Sequence, residues 1–232
     1  MIPAKAIDHR VARGTREDDP DSRPSGFTVF VKHKPLLILA LALAIFHLGN
    51  AAIVPLYGLA VVAAKEANGP SFVATTIVVA QGVMVVASIV GMRAAESRNY
   101  WPVVLVSFLA LPARGVLAYW ITGWWGVLPV QILDGVGAGL QSVAVPGMVV
   151  RSMNGTGRIN LGQGAVITVQ GIGASLSPAL GGWIAQWIGY QPTFLGGFGL
   201  IAVALYRVCI GRQELLNNIR NPKTFPPIAS DW

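Results

Sequence analysis

The sequence predicts an all-α membrane protein of six transmembrane helices, and three observations carry that prediction. Six apolar stretches recur along the 232-residue chain. At about 20 residues each, they match a hydrocarbon core roughly 30 Å thick. Positive charge gathers in alternate connections between them. The composition, 53% hydrophobic and 12% charged, leaves too little polar surface to clothe a soluble globule.

The elements follow in order. Residues 1–34 read as a polar, flexible tail rich in Pro, Arg and Asp. Its mixed charge, with Glu17, Asp18, Asp19 and Asp21, is unlike a secretory leader, which has a short basic start and then an apolar run. The first span is placed at 35–60, where Pro55 is expected to kink or break the far end. After the loop Lys65–Pro70 comes a second span at 71–92, and after the loop Arg93–Tyr100 a third at 101–121, with Pro112 and Arg114 inside it. The uncharged turn Thr122-Gly-Trp-Trp leads to the fourth span, 125–149. The loop from Arg151 to Asn160 leads to the fifth, 161–187, and the turn Gly189–Pro192 to the sixth, 193–210. The chain thus divides into a tail (1–34), a six-helix bundle (35–211) and a second polar tail (212–232).

Charge sets the orientation. Seven Lys/Arg lie in the amino tail. The second connection holds Arg93 and Arg98, the fourth holds Arg151 and Arg158, and the carboxyl end holds Arg207, Arg212, Arg220 and Lys223. The first, third and fifth connections together hold only Lys65. Basic loops stay on the cytoplasmic side, so both termini are expected inside, in a plasma (inner) membrane. Trp101, Trp120, Trp124, Trp125 and Trp187 fall near span ends, where amphipathic rings favour the headgroup zone. The net charge of +7 is read as a rim facing anionic lipid and not as a nucleic-acid surface. The single cysteine, Cys209, excludes an internal disulfide, and no Cys/His cluster points to a metal. No phosphate-binding G-x-x-x-x-G-K-[ST] loop, paired NPA repeat or TVGYG string is present, which argues against an ATP-driven pump, a water channel or a potassium channel. No cofactor is expected.

Polar groups inside the spans are the candidate site. Arg114 and Asp134 are the two formal charges deep in apolar runs. A charge at the bilayer centre costs about 2.5–3.5 kcal/mol on insertion scales, so each needs a partner. Arg114 lies about 12 Å, and Asp134 about 13.5 Å, from the shared turn of two antiparallel helices. Equal depth predicts an ion pair. Such a pair would serve either to fix the hairpin or to couple substrate and protons, and sequence does not separate the two. His47 and Asn50, three apart, share a face of the first span. Gln81 lies at similar depth in the second. Gln131, Asp134 and Gln141 form one stripe, and Gln163, Gln170 and Ser177 another. His47, Asn50, Gln81, Asp134 and Gln141 are assigned to a solute or proton pathway. Interhelical hydrogen bonding accounts for the remaining glutamines.

Small residues are concentrated in two spans. Gly135-Val-Gly137-Ala-Gly139 contains a small-xxx-small pattern that lets backbones approach closely. The fifth span carries Gly164, Gly171, Gly173, Ser175, Ser177-Pro178 and Gly181-Gly182, read as a bendable helix where one bundle meets another.

On these residues the chain resembles the carboxyl half of a major facilitator superfamily permease. Gly164, Gly173, Ser177-Pro178 and Gly181-Gly182 follow the spacing G-x8-G-x3-G-P-x2-G-G of the antiporter branch, with serine in place of one glycine. That motif is best known in the fifth helix, and an internal repeat carries an echo to the eleventh. Further strings are Phe46-His47-Leu48-Gly49-Asn50 with Pro55, Pro112-Ala-Arg114-Gly115, Gln131 to Gly139, and Gly155 to Ala165. They are similar to helices seven, nine and ten and to the loop into eleven of a group of bacterial and fungal permeases. Ile7 to Gly14 resembles the linker between halves. Gly91-Met-Arg93-Ala-Ala-Glu96-Ser-Arg98 departs from the family's acidic-then-basic loop by lacking its aspartate.

The resemblance implies secondary-active transport of a small solute, possible proton-coupled efflux and no enzymatic activity. Asp134 or His47 would titrate, and Arg114 would hold Asp134 ionised or bind an anionic substrate. Ordinary members have twelve spans, so a six-span half is expected to homodimerise, to pair with a separate amino-terminal half, or to be an inactive or interaction-only fragment. A remote alternative is intramembrane proteolysis, because Gly173-Ala-Ser175 with His47 loosely resembles the Ser–His pair of rhomboid-like enzymes.

Overall fold

A computed structural model describes residues 34–64, 69–98, 100–121, 123–153 and 158–196, the side chains of residues 97 and 98 excepted. The two polar tails and most of the sixth expected span lie outside the described residues. Within them the chain is helical, with α1 Lys34–Asn50, α2 Ile53–Ala63, α3 Gly69–Arg98, α4 Tyr100–Trp120, a single 3₁₀ turn at Trp124–Gly126, α5 Val127–Met153 and α6 Ile159–Ile188. A further helix is entered at 190–196.

Among the described residues, four segments are long and apolar enough to cross a membrane. They are Lys34–Ala63, Gly69–Glu96, Tyr100–Trp120 and Trp124–Met153. The helix α6 matches the longest of them at 30 residues but is not one of the four. Asn160, Gln163, Gln170 and Gln186, with six glycines, dilute its aliphatic content.

Two boundaries differ from the sequence reading. The segment Arg93–Tyr100, expected as a loop, is helical through Arg98. Ala94, Ala95 and Glu96 are good helix formers and no proline stops the run, so α3 outlasts its apolar segment. The first span is two helices with a break at Ala51–Ala52, at the amino side of Pro55. Proline lacks the N–H that would bond to the Ala51 carbonyl, and its ring crowds that carbonyl. Single bonds survive on either side of the break, from Ala51 N–H to the His47 carbonyl (3.0 Å) and from Leu56 N–H to the Ala52 carbonyl (3.1 Å). Pro112, Pro146 and Pro178, by contrast, sit inside continuous helices.

The helices gather into two groups. In one, α5 packs along α3 and α4. Gly135 and Gly139 make the approach to α3 possible. A methyl carbon on Gly135 would stand 2.6 Å from the Ala80 carbonyl oxygen, and one on Gly139 would stand 2.5 Å from that of Met84. In the other group, α6 packs along α1 and the start of α2. Here Gly173 faces the Ala44 carbonyl with no room for a side chain, and a methyl on Gly181 would meet the Ala52 methyl at 2.6 Å. Between these glycines, Ser177 Oγ accepts a hydrogen bond from the Ala52 N–H at 2.8 Å. Residues 173, 177 and 181 therefore form one seam at four-residue spacing. Gly164 and Gly182 of the same motif face open space.

A shared apolar core joins the groups, with Phe46 of α1 against Phe108 of α4 (ring centroids 4.7 Å apart). The Tyr57 hydroxyl lies 2.7 Å from the Ile121 carbonyl oxygen and 2.8 Å from that of Gly123. It also accepts the Gly123 N–H at 3.3 Å. These bonds fix the turn between α4 and α5. The helix α3 buries little of itself. Its outer face carries Val78, Val85, Val86 and Val90, all exposed. Apolar side chains displayed in this way suit lipid and not water.

Candidate functional site

The site is built where α1 ends and where α4 and α5 pass each other. Asn50 is the last residue of α1, and the break behind it is held by Ser177. Arg114 sits two residues after Pro112 on α4, and Asp134 directly precedes the Gly135 that brings α5 onto α3. The Arg114 Nη1 donates to Asp134 Oδ1 at 2.7 Å and to Asn50 Oδ1 at 2.5 Å. Three elements thus converge on one guanidinium nitrogen. Arg114 is buried, with 1% of its surface exposed, whereas Asp134 keeps 22%. The carboxylate is the open side of the pair.

His47 lies one turn back along α1. Its Nδ1 is 3.0 Å from the Leu43 carbonyl oxygen, and its Nε2 is 3.1 Å from Gln170 Nε2 on α6. A carbonyl can only accept, so Nδ1 carries the proton. An amide nitrogen can only donate, so Nε2 offers its lone pair. This pairing selects the neutral imidazole with one defined tautomer.

A cavity of about 40 Å³ lies among these groups, lined by His47, Asn50, Arg114, Asp134 and Gln141 together with Ser107 and apolar neighbours. The space admits water, and polar groups of the kind water needs line it. Arg114 Nε and Nη2 and Gln141 Nε2 are buried donors that meet no acceptor among the described residues. Gln131 Nε2 is likewise unmatched, but Gln131 does not line the cavity.

Five of the residues named from sequence, with Arg114 among them, therefore surround one space. Gln81 does not. It is exposed on α3, away from the cavity. Gln170, set aside in the sequence as an ordinary interhelical donor, is the partner of His47. The stripe it shares with Gln163 and Ser177 gave its face, but nothing in the sequence gave the helix opposite. Ser175 donates to the Gly171 carbonyl of its own helix at 2.8 Å, while both His47 nitrogens are directed elsewhere. The Ser175–His47 pairing that proteolysis would need is not formed. Among the described residues no cluster of His, Cys, Asp and Glu could hold a metal ion.

This geometry, charged and amide groups enclosed within apolar helices, is that of an integral membrane protein with a polar interior site. The chain is 39% identical over 220 residues to two proteins of Mycobacterium tuberculosis, from strains CDC 1551 / Oshkosh and ATCC 25618 / H37Rv. Both are named uncharacterized MFS-type transporters, and the match covers 90% of this chain and 51% of each relative. The chain spans about half the length of the curated relatives it matches. No family model matches the chain, and no solved structure matches it.

Proposed function

We propose that the chain works in secondary-active transport of a small solute across the membrane, as the carboxyl-terminal six-helix half of an MFS-type permease. The observation that carries this reading is the convergence of Arg114, Asp134, Asn50, His47 and Gln141 on one cavity deep in apolar helices. Polar groups at that depth are costly and gather where an ion or solute passes. The 39% identity to MFS-type transporters supports the same reading. Alternating access rocks one half against another about a site between them. The other half would come from a second copy of this chain or from a separate amino-terminal half.

In this proposal the coupling ion is the proton. Asp134 carries it, because its carboxylate is the partly open member of the pair. His47, held neutral between Leu43 and Gln170, is the second acceptor. Protonation of Asp134 removes the charge opposing Arg114 and frees the Nη1 contacts to rearrange. Both termini are cytosolic in this proposal, a reading that the basic connections support.

The test is solute-dependent proton movement in proteoliposomes loaded with a pH-sensitive dye, with this chain alone and with its amino-terminal half. A panel of neutral, cationic and anionic small solutes is offered. Coupled flux is expected with at least one of them, and Asp134→Asn is expected to abolish it. Coupled flux that survives Asp134→Asn unchanged sinks the assignment.

A further inference from the structure

The two members of the ion pair are not equally open. Arg114 exposes 1% of its surface, and its Nε and Nη2 are sealed off without an acceptor among the described residues. Gln141 Nε2 is sealed in the same way. Asp134 exposes 22% and lines the cavity. Its Oδ1 takes the Arg114 bond, and its Oδ2 has no partner among the described residues. The charge that a visitor meets is therefore the carboxylate. An anion would be repelled there and could not reach the nitrogens behind it. The other polar residues open beside Asp134 are Asn50 and His47, both half-buried. Asn50 Oδ1 takes one bond from Arg114 and keeps a second lone pair. His47, neutral between Leu43 and Gln170, adds no positive charge.

We infer that this cavity receives the ammonium head of a small organic cation, bound on Asp134 Oδ2 in exchange for the proton that Asp134 carries. The inference rests on the transport reading and names its substrate class. An ammonium group is close to water in size, and the cavity of about 40 Å³ admits water. Its N–H groups donate and accept nothing, which suits the open oxygens of Asp134 and Asn50. The rest of the solute lies in the mouth, beside half-buried Leu133 and exposed Ala138. Charge balance favours the exchange. With a proton on Asp134, Arg114 leaves the site with one net positive charge. With a monovalent cation on the ionised carboxylate, the net charge is the same. The swap, in which the proton leaves to water as the cation arrives, adds no charge to the apolar interior. The charged and titratable groups facing Asp134 are Arg114 of α4 and His47 of α1. The helix α3, packed on α5, carries Arg93, Glu96 and Arg98 only toward its far end, and α6 brings the neutral Gln170.

The experiment measures saturable binding of radiolabelled methylammonium to the purified full chain in nanodiscs of zwitterionic lipid, which has no net charge to gather the cation. Acetate and acetamide are the anionic and neutral controls. Methylammonium is expected to bind, and each control at least tenfold more weakly. Acid is expected to displace it, with apparent affinity falling about tenfold for each pH unit once Asp134 is protonated. In weak buffer, a pH-sensitive dye is expected to report a proton released as the cation binds the protonated site. Asp134→Asn is expected to abolish binding. Should that variant fold poorly, Ala138→Phe fills the mouth one turn along α5, leaves both charges in place and is expected to weaken binding tenfold or more. Acetate binding as tight as that of methylammonium, cation binding indifferent to pH, or binding untouched by both variants overturns the inference. Proton-coupled flux of a neutral or anionic solute, with no methylammonium binding, leaves the transport reading intact and removes this one. Methylammonium binding without any coupled flux does the reverse.

Discussion

Ser177 on α6 accepts the hydrogen bond of the Ala52 N–H at 2.8 Å, across the break between α1 and α2. The bond joins two irregularities. One is the helix interruption at the amino side of Pro55. The other is the single serine in a seam otherwise made of glycine. In unbroken helix the Ala52 N–H would bond one turn back along its own chain. Here a neighbouring helix supplies the acceptor, which is how an interrupted helix is tolerated within lipid. Ser177→Ala leaves that buried N–H unsatisfied. It is expected to cost about 1–3 kcal/mol, read as a lowered unfolding midpoint in detergent. Ser177→Thr is no substitute, because its extra methyl enters a seam that has no spare room.

The ion pair makes a second prediction. Removing either partner leaves the other charge buried, at a cost of about 3–5 kcal/mol. Arg114→Ala and Asp134→Ala are each expected to reduce folded yield sharply. Replacing both by apolar residues, Arg114→Met with Asp134→Leu, is expected to restore stability to near the original while leaving no coupled transport. If the double variant is as unstable as the singles, the two residues do not act on stability through each other.

Glycines on two different helices are expected to behave oppositely. Gly139 lies against the Met84 carbonyl, where a methyl carbon would stand at 2.5 Å. Gly139→Val forces α3 and α5 apart and is expected to cost about 1–3 kcal/mol. Gly164 on α6 faces open space, so Gly164→Ala is expected to be neutral or to raise stability by up to about 1 kcal/mol through helix propensity. Thermal melts of the two variants in the same detergent check the contrast.

Orientation is tested by labelling. In a Cys209→Ser background, a cysteine at Gly123 is expected to react with a membrane-impermeant maleimide in intact cells. One at Arg93 is expected to react only after permeabilisation. The opposite pattern would place both termini outside.

Much of this arrangement has a signature in the sequence, and the limits of that signature are physical. Hydrophobic length alone sets where helices run, so α4 and α5 are legible to within a few residues. Charges at equal depth on adjacent antiparallel helices bring Arg114 and Asp134 within reach, because a short turn fixes their register. Local propensity beyond the apolar run was harder to weigh. Ala94, Ala95 and Glu96 carry α3 past the point where its apolar character ends. The partner of a polar side chain on a distant helix was not legible at all. A stripe at helical period shows that Gln170 and Ser177 share a face, but periodicity contains no statement of which helix lies opposite. For the same reason the six-residue motif from Gly164 to Gly182 could not be divided in advance into the seam (173, 177, 181) and the open positions (164, 182).

The tryptophans give the molecule a built-in depth gauge. Trp120 closes α4, Trp125 lies in the 3₁₀ turn before α5 and Trp187 lies near the end of α6, and each exposes about three quarters of its surface (76%, 77% and 76%). Connectivity brings all three to one end of the bundle. In a bilayer, nitroxide-labelled lipids should dim their emission most strongly when the label rides near the headgroups and least when it sits at the acyl terminus. Any tilt of the bundle that lifts or sinks this end would then be visible as a change in that ranking, with no dye attached to the protein.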